Sequence, residues 1–205
     1  MFFPYRDENP SYRPPLITVA LISVNVVIYF LTNRGDGYNE IVTTYGFSID
    51  SFLQRPYVLL SSIFLHANLL HLLSNMWFLW LFGDNVEDKY GHLRFLVIYL
   101  TAGMLGDITH TAFSLFQSDV PVIGASGGVA GVMGAYVVRF PLARIRCVFL
   151  LVFYPLFFRI AAIWLLGGWM VFEFVQAFAS VQDNVAHWAH VGGFVYGISW
   201  GLRHR

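Results

Sequence analysis

Long apolar runs separated by short polar segments are the feature that most constrains this chain. The sequence has 205 residues, of which 57% are hydrophobic and only 12% are charged, about half the charged fraction of an average soluble domain. A helix of about 20 apolar residues crosses the roughly 30 Å of bilayer hydrocarbon. We therefore predict an all-α polytopic membrane protein.

Six apolar segments predict six transmembrane helices in one domain that covers residues 1–205. Their approximate bounds are 16–32, 68–83, 95–116, 120–140, 160–179 and 185–202. The second run is interrupted around His66, so we predict an interfacial piece before it and a helix that begins near Asn68, a good N-cap residue. The fifth run is longer than one span needs, and Pro155 and Arg159 indicate that its beginning lies at the membrane interface.

Lys and Arg fall unevenly on the two sides of the membrane. Six spans put both termini on one side. The residues on that side are Arg6, Arg13, Lys89, Arg94, Arg139, Arg144, Arg146, Arg203 and Arg205, against Arg34 and Arg55 on the other. By the positive-inside rule both termini are cytoplasmic. Lys+Arg and Asp+Glu are 12 each, so charge gives no indication of a nucleic-acid partner.

Ser126 lies in a glycine-rich stretch of the fourth span, and His190 lies among glycines in the sixth. Such a pair supplies a nucleophile and its base. If the spans begin at Val120 and Val185, a rise of 1.5 Å per residue puts both side chains roughly 8–9 Å below the outer boundary. Asn75 lies at a depth of about 10 Å if its helix begins near Asn68. No carboxylate is obviously placed to orient the histidine, so we predict a dyad.

Glycines recur every four residues in the same two spans. Gly127 and Gly131 have this spacing in the fourth span, as do Gly193 and Gly197 in the sixth. Small residues at this spacing let helix backbones approach closely in lipid. With Gly124, we expect these glycines to pack the two spans together near the site, although either series alone is more typical of ordinary helix packing.

His71 and Asn75 are four residues apart and share a helix face. They either stabilise the bundle through interhelical hydrogen bonds or donate to an oxyanion together with a backbone N–H near Ser126. His66 is a third donor, an interfacial brace or an ordinary loop histidine. We predict no metal site, because His66 and His71 are five apart and no cysteine or carboxylate cluster accompanies them.

Ionisable residues elsewhere in the spans keep a proton-coupled transporter as an alternative. Asp107 and His110 are three apart in the third span and could pair, and Glu173 lies in the fifth. A transporter would depend on Asp107 or Glu173 rather than on Ser126. His187, one turn before His190, is assigned no chemistry.

Motifs along nearly the whole chain resemble the rhomboid family of intramembrane serine proteases. In order they are RDENP at 6–10, FLHANLLHLLSNM at 64–76, FGDNVED at 82–88, GASG at 124–127 and AHVGG at 189–193. The resemblance implies that Ser126 is the nucleophile and His190 the general base and then acid. It also implies an oxyanion hole of His71, Asn75 and the Ser126 backbone N–H, with His66 as a supporting residue.

The resemblance further implies a function without a cofactor: cleavage of transmembrane proteins in or near their spans. Residues 33–65 resemble the family's partly embedded first loop, and the fifth span with its following loop resembles the lateral gate for substrate. A catalytically inactive relative that binds membrane clients is the alternative. The lack of a long basic presequence favours a prokaryotic plasma membrane, with the site open to the outer side. The sequence does not indicate an oligomeric state.

Two positions depart from the family pattern. Tyr57-Val58 stands where many members have Trp-Arg in the first loop, which puts the stability of that loop in question. Ala130 stands where some members have an aromatic residue that stacks on the histidine. We therefore expect His190 to be held in another way.

Overall fold

The structure, a computed structural model, describes residues 2–33, 37–114, 121–151, 154–179 and 185–204, and most of them are helical. The helices are α1 (Leu16–Thr32), α2 (Tyr38–Tyr45), α3 (Ile49–Gln54), α4 (Val58–Ser61), α5 (Leu69–Tyr90), α6 (His92–Phe113), α7 (Ser126–Arg139), α8 (Ala162–Ala179) and α9 (His187–Arg203). The strands are β1 (Phe2–Asp7), β2 (Arg144–Leu151) and β3 (Tyr154–Ala161). Outside the described residues lie Arg34 and Arg205 of the charge count, Val120, and residues 115–116 of the third predicted span.

The three strands correct the prediction of an all-α chain. They form an antiparallel sheet in the order β1-β2-β3, and β2 and β3 make a hairpin where the fifth run was expected to begin. Buried Ile145 and Cys147 alternate with more exposed neighbours, a period of two that is typical of a strand. Pro4 and Pro155 lie in the two edge strands, where the missing backbone N–H is tolerated.

Fewer helices than predicted are long and apolar enough to cross a membrane. Among the described residues, α6 and α8 meet this requirement. The segment Val58–Phe64 and α5 together make a third span if the 93° bend between them is allowed. Asn68 caps α5 by accepting the backbone N–H of His71 at 2.9 Å, which confirms the predicted break and N-cap. α1 and α9 have 17 residues each and α7 has 14.

The fourth predicted span begins later than expected. α7 starts at Ser126, and residues 121–125 are not helical, because Pro121 and Gly124 interrupt the run and Gly124 has a φ of +130°. A depth counted along a helix from Val120 is therefore wrong for Ser126. α7 lies between α5, α6 and α9, and all its residues from Gly127 to Val137 are buried. Its surroundings are thus mostly protein.

Strand β1 ties the sheet to the helices. The indole N–H of Trp77 donates to the carbonyl of Pro4 at 2.9 Å, and the hydroxyl of Tyr136 donates to the Asp7 carboxylate at 2.6 Å. Burial raises the pKa of Asp7 to about 6. Glu8 forms ion pairs with Arg146 and Arg159 of the hairpin. Residues of the N-terminal RDENP motif therefore connect the sheet to the helices.

A buried carboxylate joins the C-terminal part of α5 to the start of α1. Glu87 is 1% exposed, and it accepts the backbone N–H groups of Ile17 and Thr18 at 2.8 Å each and the Thr18 hydroxyl at 2.7 Å. These N–H groups have no acceptor within their own helix, and negative charge is favourable at a helix N-terminus. Glu87 supplies the cap that Pro15, at the N-cap position, cannot.

We expect Glu87→Gln to lower the apparent melting temperature in detergent by about 4–8 °C, because an amide donor would face an N–H group and about 2 kcal/mol of charge-assisted hydrogen bonding would be lost. The only cysteine, Cys147, is buried, so its reaction with a thiol dye reports unfolding. The control is Glu40→Gln on an exposed carboxylate. Equal melting of the two variants would contradict the capping role.

Candidate active site

Glycines bring the backbones of α7 and α9 into contact. A Cβ atom on Gly193 would overlap the carbonyl oxygen of Gly127, and one on Gly197 would overlap that of Gly131. A side chain at either position of α9 would force the helices apart. The contact therefore fixes how the first turn of α9 lies beside the start of α7.

Ser126 and His190 line one cavity of about 150 Å³. Ser126 is the first residue of α7, and His190 lies in the first turn of α9. The complete lining is Ser74, Asn75, Phe78, Ser126, Val129, Ala130, Met133, Trp169, Glu173 and His190. Residues from α5, α7, α8 and α9 thus meet at one place, with room for several water molecules.

Glu173 corrects the expectation that no carboxylate orients His190. Its Oε2 atom lies 2.6 Å from Nδ1 of His190 and 2.8 Å from Nδ1 of His187. Glu173 and His187 are both buried. A carboxylate at Nδ1 assigns the proton of a neutral imidazole to that atom, so Nε2 of His190 keeps its lone pair. The arrangement is a histidine oriented by a carboxylate, not an isolated dyad.

The same three side chains are a possible metal-ligand set. The ligand atoms of Glu173, His187 and His190 lie within 4.8 Å of one another. They differ from His66 and His71, the pair whose spacing in the sequence is unsuited to shared ligation. Two histidines three residues apart on one helix were visible in the sequence, but their approach to Glu173 depends on how α8 packs against α9.

Trp169 and Glu173 hold His190 in place of an aromatic residue at position 130. The rings of Trp169 and His190 have centroids 5.8 Å apart and are tilted by 35°, and Ala130 lines the cavity. Trp169 and Glu173 are four residues apart on α8 and so share one of its faces. The support of His190 therefore comes from α8 rather than from α7.

Further hydrogen-bond donors lie near Ser126, with Asn75 in the same cavity and His71 beside Gly124. The Asn75 side-chain amide, Nδ2, is buried without a hydrogen-bond partner among the described residues. The backbone N–H of Ala67 donates to Nδ1 of His71 at a long 3.4 Å, which assigns the His71 proton to Nε2. A Cβ on Gly124 would lie 2.8 Å from that Nε2 atom. Glycine with φ +130° is thus required where the chain passes the ring.

The cavity lining includes neither His66 nor His71. His66 is buried behind His71, with ring centroids 5.1 Å apart in an edge-to-face arrangement. Both of its ring nitrogens lack a hydrogen-bond partner among the described residues. Its carbonyl oxygen accepts the side-chain amide of Asn33 at 3.0 Å. Its position matches a brace more closely than a direct donor.

Backbone contacts fix the segment that precedes Ser126. Phe47 and Val122 exchange two backbone hydrogen bonds, and Gly124 N–H donates to the carbonyl of Ser62 at 3.0 Å. The hydroxyl of Ser62 donates to Asp107 at 2.7 Å. The carboxylate of Asp107 therefore holds this segment through Ser62, instead of forming the suggested pair with His110.

The unusual pair at 57–58 is accommodated by packing. Val58 is fully buried, and the ring of Tyr57 lies 6.1 Å from that of Tyr45. The hydroxyl of Ser61 donates to the carbonyl of Tyr45 at 2.7 Å, and the guanidinium of Arg55 donates to that of Thr43 at 3.2 Å. These contacts hold the first loop without an arginine at position 58.

Comparison with known proteins identifies the family of this chain. The family model of the Rhomboid domain matches residues 53–204. Rhomboid protease GluP of Bacillus subtilis (strain 168) is 36% identical over 59% of this chain and 24% of its own length. Rhomboid-like protease 2 of Toxoplasma gondii is 28% identical over 98% of this chain and 74% of its own. The mitochondrial Presenilin-associated rhomboid-like protein of Mus musculus is 27% identical over 68% of this chain and 36% of its own length. The chain thus spans about a quarter of the first relative and a third of the third.

We expect Gly197→Ala to separate α9 from α7, because the added methyl group would meet the Gly131 carbonyl and the Ala135 amide. Overpacking of this kind costs about 1–3 kcal/mol, so the apparent melting temperature should fall by about 2–12 °C. Gly168→Ala is the control, since a Cβ there has nothing within 4 Å. A Gly197→Ala protein as stable as the Gly168→Ala protein would show that close contact is not needed.

Proposed function

We propose that this chain, which belongs to the rhomboid family, is an intramembrane serine endopeptidase that hydrolyses peptide bonds in or near the spans of other membrane proteins. The observation that carries the proposal is one cavity that contains Ser126 and a carboxylate-bound His190. Membership of the family supports an integral membrane protein with protease-like function. The reaction, the substrates and the site residues are proposals for this chain.

The cavity residues suit acyl transfer. Ser126 Oγ attacks the scissile carbonyl carbon while Nε2 of His190 takes its proton, and the imidazolium then donates that proton to the leaving amine. Water hydrolyses the resulting ester with His190 again as base. The Glu173 carboxylate accepts the Nδ1–H bond throughout, which fixes the tautomer and stabilises the imidazolium. In this proposal Glu173 is a positioning residue, since it acts through His190.

Three donors are available for the oxyanion. The Ser126 backbone N–H lies in the first turn of α7, where amides have no acceptor within the helix. Asn75 Nδ2 is a buried donor with no partner in the part of the chain that the structure describes, a state that costs about 1–3 kcal/mol until an acceptor arrives. Nε2–H of His71 is the third donor, and His66 supports its ring. A tetrahedral oxyanion is stronger as an acceptor than a carbonyl, so these donors favour the transition state.

Helix α8 is the proposed entry side for the substrate. Only 22% of α8 is buried within the protein, half the share of the other long apolar helix, α6, so movement of α8 would break fewer packing contacts. A substrate helix hides its carbonyl groups in its own hydrogen bonds and must unwind before Ser126 can attack. Movement of α8 would also carry Glu173 away from His190. Full base strength therefore requires α8 to return to α9.

We further propose the six-span topology, with both termini cytoplasmic and the cavity open to the outer side. α1, α7 and α9 are shorter than a bilayer requires, and enclosure of α7 by its neighbours removes the need for it to match lipid thickness. The names of relatives include a bacterial protease and mitochondrial proteins. They give no support to the predicted prokaryotic plasma membrane over a mitochondrial one.

Cleavage of a single-span test substrate by the purified protein tests the proposal. We expect cutting within the span by the unaltered protein and none by Ser126→Ala or His190→Ala. Glu173→Gln should lower kcat by about 100-fold or more, because an amide can present a donor to Nδ1 and favour the wrong tautomer. KM should change little. Glu40→Gln is the matched control, on an exposed carboxylate of the first loop.

The outcomes separate the alternatives. Binding of the substrate without cleavage, in lipid as in detergent, would establish the inactive client-binding alternative. Cleavage by all variants would mean that the site is elsewhere. A rise in KM with unchanged kcat for Glu173→Gln would assign Glu173 to the packing of α8 rather than to the orientation of His190.

A further inference from the structure

One carboxylate oxygen in this site contacts two imidazoles, which is more than orienting His190 requires. Glu173 Oε2 contacts Nδ1 of His190 at 2.6 Å and Nδ1 of His187 at 2.8 Å. Glu173 and His187 side chains are each 7% exposed, and that of His190 is 13% exposed. The proposed hydrolysis uses His190 and Glu173 but gives His187 no role.

We propose that Glu173, His187 and His190 bind a divalent transition-metal ion of the Zn²⁺ class, and that the bound ion switches proteolysis off. Two imidazole nitrogens and one carboxylate oxygen are a common zinc ligand set with the fourth position open to water. His187 and His190 are three residues apart and project from the same face of α9. Glu173 faces them from α8, and the three ligand atoms lie within 4.8 Å of one another.

The geometry needs only a small adjustment to hold an ion. Tetrahedral zinc with bonds of 2.0–2.1 Å separates its ligand atoms by about 3.3 Å. The contacts of 2.6 and 2.8 Å would therefore widen by less than about 1 Å. The two imidazole nitrogens, which lie within 4.8 Å of each other, would come to about the same 3.3 Å. Because Glu173 and His190 line the cavity that contains Ser126, an ion can arrive by the route that water uses. The carboxylate charge also offsets part of the cost of burying a dication.

Metal binding and base catalysis compete for one nitrogen atom. Without metal, Nδ1 of His190 carries the proton and donates it to Glu173, so Nε2 has the lone pair that accepts the Ser126 proton. An ion on Nδ1 needs the lone pair of that atom, so the proton leaves Nδ1 and the neutral ring carries its proton on Nε2 instead. No bond other than N–H is broken and no oxidant is involved. With Nε2 protonated, His190 cannot accept the serine proton.

The binding half of the proposal is tested without any activity. Ser126→Ala protein, purified in detergent without a polyhistidine tag and stripped with chelator, is titrated with Co²⁺. We expect the visible d–d absorption of four-coordinate cobalt, one ion per chain, and its loss when Zn²⁺ is added. In the same background Glu173→Gln and His187→Gln should each weaken binding at least tenfold. His204→Gln, at the exposed end of α9, is the control and should bind normally.

Absence of the cobalt spectrum, or equal binding by the His187→Gln and His204→Gln proteins, would overturn the metal site whatever the protein does to substrates. The inhibitory half rests on the proposed protease function. In a cleavage assay with the protein that retains Ser126, Zn²⁺ should abolish cleavage and EDTA should restore it. His187→Gln should raise the half-inhibitory Zn²⁺ concentration at least tenfold, with each variant normalised to its own metal-free rate. Binding without inhibition would overturn the switch and leave the site.

Discussion

The structure depends on one backbone-to-backbone contact, between the glycines of α7 and those of α9. Lipid gives no hydrophobic drive for two apolar helices to associate, so close packing and polar contacts must hold them. Glycine at positions 193 and 197 of α9 removes the side chains that would overlap the carbonyl oxygens of Gly127 and Gly131 in α7. Because Ser126 begins one helix and His190 lies in the first turn of the other, close packing over several turns also holds both residues at one cavity.

The charge of Glu173 is the second constraint, and it acts on a different helix. A carboxylate buried in a membrane protein is expensive unless it is compensated, and here two imidazoles share the compensation. The energy of these contacts is gained only while α8 is docked on α9. Docking of this weakly enclosed helix and orientation of the histidine are therefore parts of one equilibrium. This arrangement is consistent with a site that is complete only when its entry side is closed.

Local signals predicted part of this arrangement and non-local ones were missed. Asn68 stands directly before an apolar run, and the four-residue glycine spacing lies within single helices. Both features are therefore visible in the sequence, and they predict the N-cap and the close packing of helices. The sequence does not predict the β2–β3 hairpin as strands, because most of its residues are apolar and the alternation with a period of two is therefore weak. Contact between Glu173 and His190 joins two helices across a loop, and no pattern within either helix reports it.

The alanine at position 130 makes the orientation of His190 depend on α8. An aromatic residue there would support the histidine from α7, the helix to which α9 is locked by glycine, and the support would persist however α8 moved. In this chain Trp169 and Glu173 supply the support from α8 instead. His190 is then well oriented only when α8 is in place, whereas Ser126 and the donors around it belong to α5 and α7 and are unaffected. In the proposed mechanism, opening of the entry side would weaken the base while leaving the nucleophile and the oxyanion donors intact, so water that enters with the substrate would meet a site unable to hydrolyse until α8 closes.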